Sequence, residues 1–172
     1  MRDTVGRTPL SHAAQFGRSG IVKLLLDIGT VEVDSKDQNG ITPLGWAMVE
    51  GRQSTAEIYD FDINSQDESG RTALWWAADK IQSGVLEVLL AKSDIDPNVE
   101  DNYGDTALSR VVNQLNRWQS DGILTDNILR SGRKSVVALL PHPAIDINCL
   151  DKDRLEVLLQ IAGARGSNEV GI

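Results

Sequence analysis

The chain holds little of what catalysis, metal binding or membrane insertion would need. Cys149 stands alone in 172 residues, so no internal disulfide can form and a cysteine-rich metal centre fails on ligand count. There are two histidines, His12 and His142. A Cys149/His142 pair is conceivable in space, but Cys149 follows Asn148 in a loop position and nothing supplies an oxyanion hole. Positive charge is also short: 17 basic residues stand against 25 acidic ones, for a net charge of −8. That balance argues against DNA, RNA or an anionic membrane as the main partner. No apolar run approaches the ~18 residues of a membrane span. Fifteen glycines are present, yet none forms a Gly-x-Gly-x-x-Gly or phosphate-loop pattern. The expected chain is therefore a monomer of the cytoplasm or nucleus, without cofactor, metal or enzymatic activity.

What is present is repetition. Gly6-Arg7-Thr8-Pro9-Leu10, Gly40-Ile41-Thr42-Pro43-Leu44, Gly70-Arg71-Thr72-Ala73-Leu74 and Gly104-Asp105-Thr106-Ala107-Leu108 are variants of one phrase, at intervals of 34, 30 and 34 residues. Asp3, Asp37, Asp67 and Asp101 precede it at one offset. A period of this size marks a stacked repeat, whose units cannot bury their apolar faces alone. With 41% hydrophobic residues the stack has enough apolar material for a packed core.

The first unit reads cleanly. Asp3-Thr4-Val5-Gly6 is a tight turn, with the aspartate bonding nearby backbone and Gly6 supplying a positive φ. Thr8-Pro9 starts a helix, the hydroxyl capping and the proline at the first helical position. That helix carries Leu10, Ala13 and Ala14 to Gly17; a second runs from about Ile21 to Gly29, with Ile21, Val22, Leu24, Leu25 and Ile28 at helical spacing.

The pattern Asp-x-x-Gly-x-Thr-Pro-Leu-x-x-Ala-Ala-x-x-Gly followed by Ile-Val-x-Leu-Leu-Leu resembles the ankyrin repeat, and its Pro-Leu-x-Trp-Ala variant resembles the arrays of large fungal proteins. The resemblance implies an all-α solenoid whose hairpin tips project from one edge, with a groove lined by the first helices. It further implies binding of another protein rather than catalysis. The expected solenoid spans 1–166, with repeats near 3–36, 37–66, 67–100 and 101–150, a partial unit over 151–163 and a disordered tail over 164–172.

Two departures from the pattern carry expectations of their own. Repeat two is four residues short after Gly51, and Ile58 and Tyr59 replace a leucine-rich run, so its second helix should be short and weakly packed. Repeat four carries an insert over 116–134 that holds Arg117, Arg130, Arg133 and Lys134 against Asp121 and Asp126. Within it Ile123, Leu124, Ile128 and Leu129 suggest a short amphipathic helix, and Trp118 an anchor for it. The final helix, about Arg154 to Ala162, should cap the stack with Arg154, Glu156 and Gln160 outward.

Recognition is expected at the tips, where turn geometry fixes Asp and Gly but not their neighbours. The candidates are Val5 and Arg7; Gln38, Asn39 and Ile41; Glu68, Ser69 and Arg71; and Asn102, Tyr103 and Asp105. Ile41 and Tyr103 are expected as exposed anchors. Phe16, Trp75 and Lys80 join them on the groove side, while Trp46 and Trp76 are expected to pack between first helices. The function these features imply is a non-enzymatic protein-interaction scaffold. The alternative is a sensor or regulatory segment of a larger signalling protein with a nucleotide-binding module elsewhere, which the abrupt Met1-Arg2-Asp3 entry into the first repeat favours.

Overall fold

Each first helix begins on a threonine. Thr8, Thr42, Thr72 and Thr106 sit in extended backbone and accept from the amides of Ser11, Gly45, Trp75 and Ser109, three residues on. These caps satisfy a helical N–H that would otherwise lack a partner. The computed structural model describes residues 1–58 and 62–163. Tyr59 and the expected tail over 164–172 lie outside the described residues.

Among the described residues the chain is all helical. The first helices are α1 (Pro9–Gln15), α3 (Pro43–Val49), α5 (Ala73–Asp79) and α7 (Ala107–Ser120). The second helices are α2 (Ser19–Asp27), α4 (Gln53–Ala56), α6 (Ser83–Leu90) and α8 (Asp126–Leu139), and α9 (Lys152–Gly163) closes the array. Each first helix packs on the next, each second helix likewise, and α9 lies against α7 and α8. This is a two-layer solenoid of helix–turn–helix units.

The turns stack as well as the helices. The Gln38 amide donates to the Val5 carbonyl at 3.0 Å, Glu68 to Asn39 at 3.1 Å and Asn102 to Ser69 at 3.0 Å. This stacking requires Gly40 twice over. Its φ is 73°, and a Cβ there would lie 2.6 Å from the Glu68 backbone nitrogen. Between α5 and α6, Ile81 takes φ 53° where Gly17 and Gly51 serve the earlier repeats. A β-branched residue is strained there, and burial of its side chain offsets the cost.

Leu10, Leu44, Leu74 and Leu108 hold one repeat position and all are buried. The main core runs from Ala14 to Ile161, while Leu10, Ala13 and Val22 form a separate cluster with Leu25, Leu26, Val31, Val33 and Ile58. The four-residue α4 agrees with the expected short helix of repeat two.

The insert of repeat four does not make a helix of its own. It lengthens both helices: α7 and α8 have 14 residues each, against seven in α5 and eight in α6. Ile123 and Leu124 lie in the connection, and Ile128 and Leu129 in the first turn of α8. Ile128 and Leu129 therefore belong to α8, which starts at its Thr125 cap, ahead of both. Gly132 lets α8 approach α7, since a Cβ there would meet the Leu115 side chain at 2.5 Å. Trp118, Leu124, Ile128 and Leu129 all pack, partly buried, against the main core. On α9, Leu158 and Ile161 are buried while Leu155 and Leu159 are exposed, so its outer face is less polar than expected. Arg154 ties it down through Asp105 at 3.1 Å.

Candidate interaction surface

The turn aspartates organise the surface that the repeats share. In each repeat the Oδ1 atom accepts two backbone N–H groups: Val5 and Arg7 on Asp3, Asn39 and Ile41 on Asp37, Ser69 and Arg71 on Asp67, Tyr103 and Asp105 on Asp101. In the first three repeats Oδ2 then meets a ring nitrogen nine residues on: His12 at 3.0 Å, Trp46 at 3.0 Å and Trp76 at 3.2 Å. One carboxylate thus fixes both the tip backbone and the aromatic residue of the first helix. Trp46 and Trp76 are half-buried, because their N–H ends are held at the turn rather than sunk between helices. Sequence reasoning missed this pairing, although the constant nine-residue spacing from aspartate to ring was there to find.

Cations lie over these rings. The Arg7 guanidinium is 5.5 Å from the Trp46 centroid, Arg71 is 4.6 Å from Trp76 and 5.2 Å from Trp75, and Arg110 is 4.8 Å from Trp75. Such contacts each stabilise by ~0.5–1 kcal/mol at partly exposed sites. In repeat four Arg110 holds the ring position and turns back to the preceding repeat. Its Nε and Nη2 donate to Asp79 Oδ1 at 2.8 and 2.6 Å, Gln114 joins at 2.9 Å, and Lys80 pairs with Oδ2 at 3.1 Å. Asp79 is buried, so α5 and α7 are braced by a carboxylate whose charge is fully matched.

Partial burial pushes the Asp3 carboxyl up, but hydrogen bonds from the Arg7 amide, the Arg7 and His12 side chains and the Val5 amide outweigh it, holding the group at about 2. Burial pushes Asp34 up, with Asp62 adding repulsion.

Most tip candidates reach solvent. Tyr103 is 88% exposed and Val5, Gln38, Asn39, Glu68 and Asn102 are exposed with it. Ser69 and Arg71 are half-buried, with Arg71 donating to the Ser69 hydroxyl. Arg7 is engaged with Asp3 at 2.9 Å, and Asp105 accepts from Ser109 and Asn113. On the first helices Phe16 is 58% exposed and Lys80 is exposed. Two candidates are corrected. Ile41 is only 9% exposed, because Gly45 leaves a space that the Ile41 Cγ2 fills; a Cβ on Gly45 would lie 2.9 Å from it. Trp75 is only 5% exposed, enclosed by Trp76 edge-on at 5.3 Å and by Arg71 and Arg110.

The family model described as "Ankyrin repeats (3 copies)" matches residues 1–59, and that described as "Ankyrin repeat" matches residues 69–102, together more than half of the chain. The chain belongs to the ankyrin repeat family. No curated protein matches it. Ankyrin repeats generally serve protein–protein interaction. In this ankyrin array Cys149 donates to the Asp146 carbonyl at 3.0 Å and lies 3.4 Å from the Thr106 hydroxyl, while His142 Nδ1 accepts from the Ala144 amide at 3.3 Å. Both groups are occupied in local contacts that brace the loop before α9. Among the described residues no cluster of three His, Cys, Asp or Glu could hold a metal ion, and no helix is long and apolar enough to cross a membrane.

Proposed function

We propose that this ankyrin array is a non-catalytic recognition module that binds another protein across its turn tips and the adjoining ends of its first helices. The observation that carries the reading is the division of labour within each repeat. Asp, Gly, Thr and the ring residue are consumed by the fold, while Val5, Gln38, Asn39, Glu68, Asn102 and Tyr103 between them face solvent on a backbone held by inter-repeat hydrogen bonds. Tyr103, Phe16 and Val5 supply exposed apolar area, and Gln38, Asn39, Glu68, Asn102 and Lys80 supply polar contacts around it. Aromatic anchors within a polar rim are the composition of energetically concentrated interfaces. Because the tips are bonded to one another, little ordering entropy is lost on binding, which favours affinity.

The test is affinity capture from a lysate of the source cells. The native chain is compared with Phe16→Ala/Lys80→Ala/Tyr103→Ala after circular dichroism shows equal helicity. A partner held by the native chain and lost from the triple variant supports the reading. Equal retention by both would move recognition off the tips and first helices, and sink it.

A further inference from the structure

A cavity of about 710 Å³ opens between α6 and α8 at the end of α9, in the layer of second helices. It is separate from the tips and owes its existence to the insert that lengthens α8. Arg130, Arg133, Lys134, Val137 and Leu140 line it. Their spacing places all five on one stripe of α8 and its C-cap. Glu87 of α6 is the single carboxylate of the lining, against three cations. None of those cations forms an ion pair among the described residues. Arg133 also borders a second cavity of about 380 Å³, and its Nε is buried without a hydrogen-bond partner among the described residues. A guanidinium donor in that condition is left with an unmet hydrogen bond that an oxyanion would satisfy.

The stripe changes character along its length. Arg130, Arg133 and Lys134 are followed by Val137, 63% exposed, and by the exposed Leu140. We propose that this cavity is a second docking site, taking an acidic peptide segment of a partner protein that carries apolar side chains beside its carboxylates. Charge complementarity selects the occupant: three cations without an ion-pair partner among the described residues collect on a chain whose net charge is −8. A nucleic acid would meet the same cations but be repelled by the surrounding charge. A free oxyanion would leave Val137 and Leu140 uncovered. The exposed Ile21, Leu24 and Ile28 of α2 offer apolar area with no such charge to define a partner.

The experiment uses the full chain labelled with 15N and the peptide acetyl-Glu-Glu-Leu-Glu-Glu-Leu-Leu-amide as probe. Its glutamine analogue, inorganic phosphate and a short single-stranded oligonucleotide serve as separate arms. The expected result is saturable amide shifts over 83–87 and 130–140, at least about tenfold weaker affinity for the glutamine analogue, and weakening as salt is raised. Arg130→Gln/Lys134→Gln should lose about tenfold or more with helicity intact, since neither side chain has an ion-pair partner to forfeit among the described residues. Val137→Thr, which removes apolar area without adding charge, should weaken the peptide but not phosphate. Equal binding of the glutamine analogue, shifts elsewhere, or no shifts would overturn the proposal. So would phosphate saturating these residues with no further gain from the peptide, or tighter binding of the oligonucleotide.

Discussion

The second helices of the first two repeats and those of the last two are built to different standards. α2 buries only Val22 fully and leaves Ile21, Leu24 and Ile28 exposed, because its neighbour α4 is a single turn of four residues. α6 buries Val85, Leu86 and Leu89, and the 14-residue α8 that covers it buries Val136 and Leu139. The consequence is a split core: Leu10, Ala13 and Val22 cluster apart from the main body. In a solenoid each unit is stabilised by its neighbours, so losing about one helical turn in one repeat weakens two interfaces at once. The first repeat remains joined mainly through α1 against α3 and through its stacked turn.

The largest test of this contrast is a pair of substitutions. Leu86→Ala, at a fully buried site in the main core, should cost about 3 kcal/mol in urea unfolding. Leu24→Ala, at a position 63% exposed, should cost less than ~0.5 kcal/mol. Similar values for the two would mean that α2 is covered in solution in a way this packing does not provide.

Hydrogen exchange gives a finer reading of the same boundary. The amides of Ala56 and Glu57 close onto Arg52 and Gln53 in a one-turn helix, whereas Ala91 and Lys92 close the end of α6 against the main core. Residues 53–58 should open locally, at least about tenfold more often than 85–90. Equal protection would show that the short helix is coupled as tightly as the long one.

Much of this was legible in the sequence. The Gly-x-Thr-(Pro/Ala)-Leu phrase located all four first helices because capping and turn chemistry are local, and local rules survive without knowledge of the partner helix. The short repeat was readable from its interval alone. Other features depend on what lies opposite. Ile41 looks like a tip residue, and only the missing side chain at Gly45 draws it inward. Ile123 and Leu124 read as part of a helix, but the space beside α6 favours lengthening α7 and α8 across a turn at Gly122. The three cations facing one cavity came from helical spacing on α8, which could be known only once the start of α8 at Asp126 was fixed.

Acid gives the smallest effect and separates the two ends of the molecule chemically. The Asp3 carboxyl lies at about 2, against an ordinary value of 3.8, so the folded turn favours its ionised form. A depressed carboxyl contributes stability above its unfolded value and loses it as pH falls through the folded one. The window is therefore from pH 3.8 down to about 2. Across it the amides of Val5 and Arg7, which donate to Asp3 Oδ1, should shift and lose protection. The loss should stay local, since Leu10, Ala13 and Val22 of the first repeat form a buried cluster apart from the main core. In Asp3→Asn the same two amides should start less protected at neutral pH and show no transition in that window. A wild-type transition that reached α6 at the same pH would mean that the first turn and the main core open as one unit, and the division between strong and weak halves would fail.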